Sequence, residues 1–293
     1  MQIALYGVGG VLAEAFGENL ATRSLPVWRA SHRASADALL DLSSDPPLLP
    51  APPREGSHAV ICAALSSIDL CAREPARTAR FNVDHTIALL TLLLDRGVVP
   101  VFCSSDAVFK GDAGPYGETD DREPILEYGR QKAAVEDWLL TDGRPALILR
   151  FSKLYLPGPS DTSPLGEILC SVLAGQSVRA ATDQIICPTH AGEVAAAALD
   201  LMEAGQSGVW HLTPPIAGCC SRYEMAWLIA QSVERSDLVV PCRIDEFPFV
   251  EARPRRLCLN GAKAEAFLGR RLSTFAECLD EIVDRGKMSV SVA

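Results

Sequence analysis

Through the first half of the chain, short apolar runs alternate with longer segments whose apolar residues recur every three or four positions. The runs at 2–6, 26–30, 59–63, 99–104 and 146–151 are compact and nearly continuous, as expected of strands covered on both faces. The segments 12–21, about 75–95 and about 127–140 each carry one oily stripe, which predicts helices laid against a sheet. The stretch 44–56 breaks the rhythm: Pro46, Pro47, Pro50, Pro52 and Pro53 exclude a helix, so a surface loop is expected in place of the usual crossover. Strand and helix in alternation predict an α/β fold, a Rossmann-type doubly wound parallel sheet. Beyond Phe151 the rhythm becomes irregular, with helical patterns at 165–174, 191–203, 223–236 and 274–285 between short strands and proline-rich turns. The expected division is a Rossmann domain at 1–151 and a smaller C-terminal α/β lobe at 152–293, within which the chain has room to return to the sheet.

Composition narrows the class. With 48% apolar and 22% charged residues over 293 positions, the chain has the makings of a real core. Its longest apolar runs, such as 87–94, are too short to span a bilayer, and the N-terminus leads straight into a strand with no export signal. A cytoplasmic protein without a membrane partner is expected. A net charge of −10 argues against nucleic acid as a partner. The basic group Arg253, Arg255 and Arg256 is the local exception, open both to an anionic ligand and to a solvated turn. The ten cysteines include no C-x-x-C pair, which disfavours a metal site or a disulfide framework, and Cys62, Cys103 and Cys187 read as small buried hydrophobes.

Directly after the first strand comes Gly7-Val8-Gly9-Gly10-Val11-Leu12-Ala13. Glycines there permit a tight turn and a close approach of backbone to a pyrophosphate, Ala13 permits close helix-to-strand packing, and the helix start offers unpaired N–H groups. A dinucleotide cofactor is therefore expected on Gly7, Gly9, Gly10, Val11 and Leu12. The second strand ends without the Asp or Glu that would bind a ribose 2′-hydroxyl. It presents Arg29, Ser31, His32 and Arg33 instead, which suit a 2′-phosphate, so NADPH/NADP is favoured over NAD. Asp41 and Leu42 are placed at the adenine, and the small residues Ala63, Ala64 and Ser66 leave room for the dinucleotide across the strand ends.

Tyr128 and Lys132 stand four apart in a helical segment and so share a face. A phenol beside an ammonium suits proton transfer, and the expectation is that Lys132 lowers the Tyr128 pKa and also holds the cofactor ribose. The fourth strand ends in Cys103-Ser104-Ser105-Asp106, at the sheet edge where open α/β folds bind ligands. Ser105 is expected to hydrogen-bond the carbonyl oxygen that Tyr128 protonates.

These residues resemble the extended short-chain dehydrogenases that act on nucleotide-sugars, and within them the dTDP-4-dehydrorhamnose reductase-like family. Ser104-Ser105-Asp106-Ala107-Val108-Phe109-Lys110-Gly111 is similar to that family's Ser-Thr-Asp-Tyr-Val-Phe-x-Gly, followed by Pro115-Tyr116-Gly117-Glu118 and Tyr128-Gly129-Arg130-Gln131-Lys132. Asn82-Val83, Arg150 with Ser152 and Tyr155, Asp183-Gln184 with Pro188-Thr189, and Ala252-Arg253-Pro254 match further motifs along nearly the whole chain. The resemblance implies an NADPH-dependent reductase of a keto group on a nucleotide-linked deoxysugar. Ser105, Tyr128 and Lys132 would be catalytic, and Ser105, Asp106, Lys153, Gln184 and Arg253 would meet the substrate. A homodimer is the expected assembly. Nucleotide-sugar epimerase and a non-catalytic NADP-binding regulatory subunit are the alternatives; a dehydratase is disfavoured because Ala107 follows Asp106 where a Glu is needed. The chain departs from the pattern at Lys153 for Trp, Ala107 for Tyr, Cys187 for Gly and Leu156 for Gly. The first two lie beside the expected pocket, where a cation replacing an aromatic implies a different or more acidic substrate, or a chain that keeps the fold but has lost the usual activity.

Overall fold

A computed structural model describes residues 2–33, 35–50, 57–158 and 163–290, with side chains described as far as Arg285. Pro52 and Pro53 of the proline-rich stretch lie outside the described residues. The first half alternates as expected: β1 (Ile3–Tyr6), α1 (Val11–Thr22), β2 (Val27–Ser31), β3 (Ala38–Leu39), β4 (His58–Ile61), α2 (Ile68–Arg73), α3 (Pro75–Ala79), α4 (Thr86–Asp95), β5 (Val99–Cys103), α5 (Glu127–Asp142) and β6 (Leu147–Arg150). The second half supplies β7 (Leu154–Tyr155), α6 (Pro164–Leu173), β8 (Val178–Ala181), β9 (Ile185–Ile186), β10 (Thr189–His190), α7 (Ala191–Glu203) and β11 (Gly208–His211). It ends with β12 (Cys220–Ser221), α8 (Arg222–Gln231), β13 (Val239–Cys242), β14 (Arg256–Leu257), α9 (Ala262–Leu268) and α10 (Leu279–Val290).

Seven strands form one parallel sheet in the order β3-β2-β1-β4-β5-β6-β11. Its direction of growth reverses between β1 and β4, the switch point where such sheets open a crevice beyond their carboxyl ends. All four residues of β1 and of β6 are buried, which is why β1 reads as an unbroken apolar run and β6 as one interrupted only by Arg150. One face packs Phe16 and Leu20 of α1 with Val194, Ala198 and Leu201 of α7; the other packs Leu89, Leu90 and Leu93 of α4 with Val135 and Leu139 of α5. Thus α7 and β11, although they follow residue 152, complete the Rossmann layers. A smaller body gathers α6, α8, α10 and the short ladders β8–β13 and β12-β9-β14.

The segment expected as one helix over 75–95 is interrupted by a π-helical stretch, Arg80–His85. Such a bulge inserts extra backbone and re-aims the side chains on it; here it carries the buried Asn82. A buried ion pair braces the sheet beneath the crevice. Arg150 binds Glu136 through Nε at 2.9 Å and Nη2 at 2.6 Å, with both side chains almost wholly shielded from water. Phe109 lies 5.0 Å from the Arg150 guanidinium and stacks on Tyr116 at 4.5 Å. Among the described residues no helix is long and apolar enough to cross a membrane.

Candidate active site

The carboxyl ends of β1, β2, β4 and β5 open into a cleft of about 780 Å³. Gly7 and Gly9 turn the chain out of β1 with φ of 91° and 96°, a region that side chains resist. A Cβ on Gly7 would stand 2.6 Å from the Ala63 backbone nitrogen, so the turn is seated directly on the end of β4. Gly10 is the N-cap of α1 and offers no side chain to the first helical N–H groups, which are left to a ligand at the helix start. Val11, Leu12, Ser31, Arg33, Asp41, Leu42, Ala63, Ala64 and Ser66 line the same cleft. Arg33 is exposed, its guanidinium lies where a Cβ on Gly9 would be, and among the described residues it has no carboxylate partner. Among the described residues it is thus an unpaired cation at the mouth of the crevice.

Arg29 corrects the expectation made for it. It does not line the cleft, because it sits two residues inside β2 and its backbone is bound to Asp37, with N–H to Oδ2 at 2.7 Å. Of β2, only its last residue, Ser31, reaches the crevice.

Tyr128 and Lys132 both project from α5 into the cleft. Lys132 is fixed there: its Nζ donates to the Cys103 carbonyl at 2.7 Å, over the Phe102 ring at 4.6 Å. Burial lowers its pKa to about 8, so the ammonium persists at neutral pH but is lost in mild alkali. The Tyr128 phenol runs against expectation. Burial first, then the charges of Asp106, Cys71 and Cys103, hold its pKa well above the ordinary tyrosine value. Lys132 does not offset this, since its Nζ is 5.8 Å from the Tyr128 ring centroid and turned to Cys103. Tyr128 is therefore a protonated donor across the neutral range.

The two serines at the end of β5 are separated by their partners. Ser104 is buried and its Oγ donates to Glu136 Oε1 at 2.5 Å, within the ion-pair network. Ser105 is half-buried; its Oγ donates to Asp106 Oδ1 at 2.9 Å and accepts from the Ala107 N–H at 3.2 Å. Helix α5 presses on this turn so closely that a Cβ on Gly129 would overlap the Ala107 carbonyl. That contact sets the residue after Tyr128 against the turn that begins at Ser105.

Of the residues expected at the substrate, Asp106 and Lys153 lie within electrostatic range of each other. Burial raises the Asp106 pKa, opposed by Lys153, Ser152 and Ser105, and burial lowers that of Lys153, opposed by Asp106. Among the described residues the Lys153 ammonium has no hydrogen-bond partner, and Arg222 and Arg253 are the other charges acting on it. Gln184 corrects the expectation of a ligand contact. It is buried, and both ends of its amide are engaged within the protein, Oε1 accepting from Arg222 Nε at 2.5 Å and Nε2 donating to the Pro254 carbonyl at 2.9 Å, so it braces Arg222 from behind. Arg253 is likewise engaged, with Nη2 on Asp69 at 2.6 Å and Phe249 against its guanidinium at 4.2 Å. It ties the 249–253 segment to α2, while Glu251 accepts from the Glu127 N–H at the start of α5.

Sequence reasoning missed three contributors. Asn82 clamps the cleft wall, accepting from the Leu65 N–H at 2.9 Å and donating to the Leu65 carbonyl at 3.0 Å and to Gln131 Oε1 at 2.8 Å. Its only signal was the Asn82-Val83 motif. Arg222 was invisible because its neighbours come from distant segments. The Cys103 carbonyl holds Lys132 by backbone alone, which no side-chain pattern records.

The chain matches the family described as RmlD substrate binding domain over residues 1–288. It is 33% identical over 215 residues to a probable low-salt glycan biosynthesis reductase of Haloferax volcanii, covering 71% of this chain and 70% of that protein. It is 26% identical over 235 residues to a dTDP-4-dehydrorhamnose reductase of Mycolicibacterium smegmatis, covering 78% and 70%. The solved dTDP-4-dehydrorhamnose reductase of Bacillus anthracis in complex with NADP shares the fold, with a TM-score of 0.82 at 21% identity over 96% of this chain and 98% of that one.

Proposed function

This chain belongs to the RmlD substrate binding domain family, and on that premise we propose that it is a short-chain-dehydrogenase-type oxidoreductase that uses NADPH to reduce a keto group on a nucleotide-linked deoxysugar. The observation that carries the proposal is the convergence, in one cleft, of the glycine turn, the exposed cation Arg33 and the Tyr128 and Lys132 pair. The cleft suits a phosphorylated dinucleotide: glycine backbone at Gly7, Gly9 and Gly10 for the pyrophosphate, Arg33 and Ser31 for a 2′-phosphate, and small residues at Ala63 and Ala64 leading to Lys132.

NADPH, when bound, supplies the hydride. Tyr128, kept protonated by its burial, donates its phenolic proton to the substrate oxygen. Ser105 turns its hydroxyl from Asp106 to the same oxygen. Lys132, anchored on Cys103, holds the cofactor ribose and keeps positive charge near the forming tyrosinate. Asp106 and Lys153 meet the sugar, and Arg222, braced by Gln184, adds a cation beside them. In this scheme residues 1–151 chiefly hold the cofactor and residues 152–293 chiefly the nucleotide-sugar. A cytoplasmic homodimer with no nucleic-acid partner belongs to the same proposal. Epimerase and regulatory-subunit alternatives have less support, since both curated relatives named above are reductases.

The test is NADPH consumption by purified protein against nucleotide-linked 4-keto sugars and simple ketones. Turnover confined to the nucleotide-linked sugars is expected. Equal turnover of simple ketones, or none with any keto sugar, contradicts the assignment.

A further inference from the structure

Two thiols that the catalytic scheme leaves unused stand side by side at the floor of the cleft. Strands β4 and β5 pair in parallel with Ile61 opposite Phe102, so Cys62, one residue past β4, comes opposite Cys103, the last residue of β5. Alternation puts both on one face of the sheet. Cys103 joins Val60 and Val101 in one apolar cluster, with Cys62 packed against it, whereas Ile61 and Phe102 belong to the cluster on the opposite face. Neighbouring strands run about 4.8 Å apart, inside the roughly 4.4–6.8 Å between Cα atoms that a disulfide spans. Both residues are free thiols and both line the cleft, which is the route by which a small reagent reaches them. Lys132 stands beside the pair, its ammonium on the Cys103 carbonyl at 2.7 Å.

We propose that Cys62 and Cys103 form a dithiol modification site, closed to an intramolecular disulfide by a two-electron oxidant of the diazene or peroxide class when the cleft holds no dinucleotide. With a diazene, the thiolate of one cysteine adds to the N=N bond and the far nitrogen takes a proton. The second cysteine, giving up its own proton, attacks the first sulfur and expels the hydrazine. One S–S bond forms, two S–H bonds are lost, and the two electrons and two protons end on nitrogen. Contact with Cys103, together with burial, holds the Cys62 thiol well above the usual range, so bridging accelerates as pH rises and more thiolate forms. Closing the sulfurs to about 2.05 Å turns both side chains toward each other and re-shapes the cleft floor, next to Lys132 on the Cys103 carbonyl and to Ala63, both parts of the dinucleotide site.

The shielding half of this proposal rests on the assignment of the cleft to a dinucleotide; the bridge itself does not. The experiment treats the full-length, cofactor-free protein with one equivalent of diamide at mildly alkaline pH, maps the products by non-reducing peptide mass spectrometry, and titrates NADPH binding directly by fluorescence. A peptide joining Cys62 to Cys103 is expected, together with at least fivefold weaker NADPH binding, restored by dithiothreitol. The Cys62→Ala variant should give no such peptide, and its NADPH affinity should not respond to diamide. If only the empty cleft reacts, NADPH at a hundred times its Kd slows bridging about 100-fold. Absence of the joined peptide in cofactor-free protein, or bridging between other cysteines alone, overturns the site. Bridging at an undiminished rate while titration shows NADPH saturating overturns the shielding, whereas failure of NADPH to bind at all counts against the cofactor assignment and leaves the peptide as the measure of the bridge.

Discussion

Replacing Lys132 by Met should make the chain more stable at neutral pH and abolish its turnover. Burial brings the Lys132 pKa from 10.5 to about 8, which corresponds to about 3 kcal/mol by which the fold disfavours the ammonium relative to water. Below pH 8 the ammonium is present in folded and unfolded chains alike, and that cost is borne in full. Between pH 8 and 10.5 the folded chain releases its proton while the unfolded chain keeps it, so the wild type gains stability as pH rises. Met fills a similar volume without charge but leaves the Cys103 carbonyl without its 2.7 Å donor, a loss of about 1–2 kcal/mol. The variant should therefore be more stable by about 1–2 kcal/mol at about pH 7, and this advantage should shrink by roughly 2 kcal/mol at about pH 9.5. Urea unfolding of both proteins at the two pH values measures the difference, in which titrations common to both cancel. A difference that does not change with pH, or a variant clearly less stable than wild type at neutral pH, refutes the idea that a buried, disfavoured ammonium is kept for catalysis.

Arg33→Ala removes the one cation at the cleft mouth that has no carboxylate partner among the described residues. It should lower kcat/KM for NADPH by about 10–100-fold, the worth of charge-assisted hydrogen bonds to a phosphate, and leave NADH turnover little changed; equal losses with both cofactors count against a 2′-phosphate site. Arg150→Met leaves Glu136 buried without its two-point partner and should cost about 3 kcal/mol of stability by urea midpoint. Replacing Glu136 by Leu as well should restore most of that loss, and a double variant as unstable as the single one contradicts this account of the network.

Much of the Rossmann half was legible because its strands are apolar on both faces and its helices on one. The run at 26–30 became Val27–Ser31 and the pattern at 191–203 became Ala191–Glu203. What escaped is held by pairing rather than pattern. Strand β3 has two residues and exists as a ladder on the edge of β2, and β11, Gly-Val-Trp-His, has only two apolar residues to mark it. The π-helical stretch was hidden because one inserted residue barely disturbs apolar spacing; the bonds of Asn82 to Leu65 and Gln131 accompany it. In the site, residue types were legible but their partners were not. Gln184 reads as a ligand contact until Arg222 and Pro254 arrive from 38 and 70 residues away. Cys62 and Cys103 read as small hydrophobes because strand register, which sets them opposite each other, leaves no trace in their spacing.

The central claim is that Tyr128 gives the proton that completes reduction of a keto group on a nucleotide-linked sugar. Single-turnover reduction of a dTDP-linked 4-keto-6-deoxyhexose, with enzyme in excess and NADPH saturating, compares wild type with Tyr128→Phe. A loss of at least about 100-fold in the reduction rate is expected, with NADPH binding to the variant within about twofold of wild type. Reduction by Tyr128→Phe at the wild-type rate would contradict it.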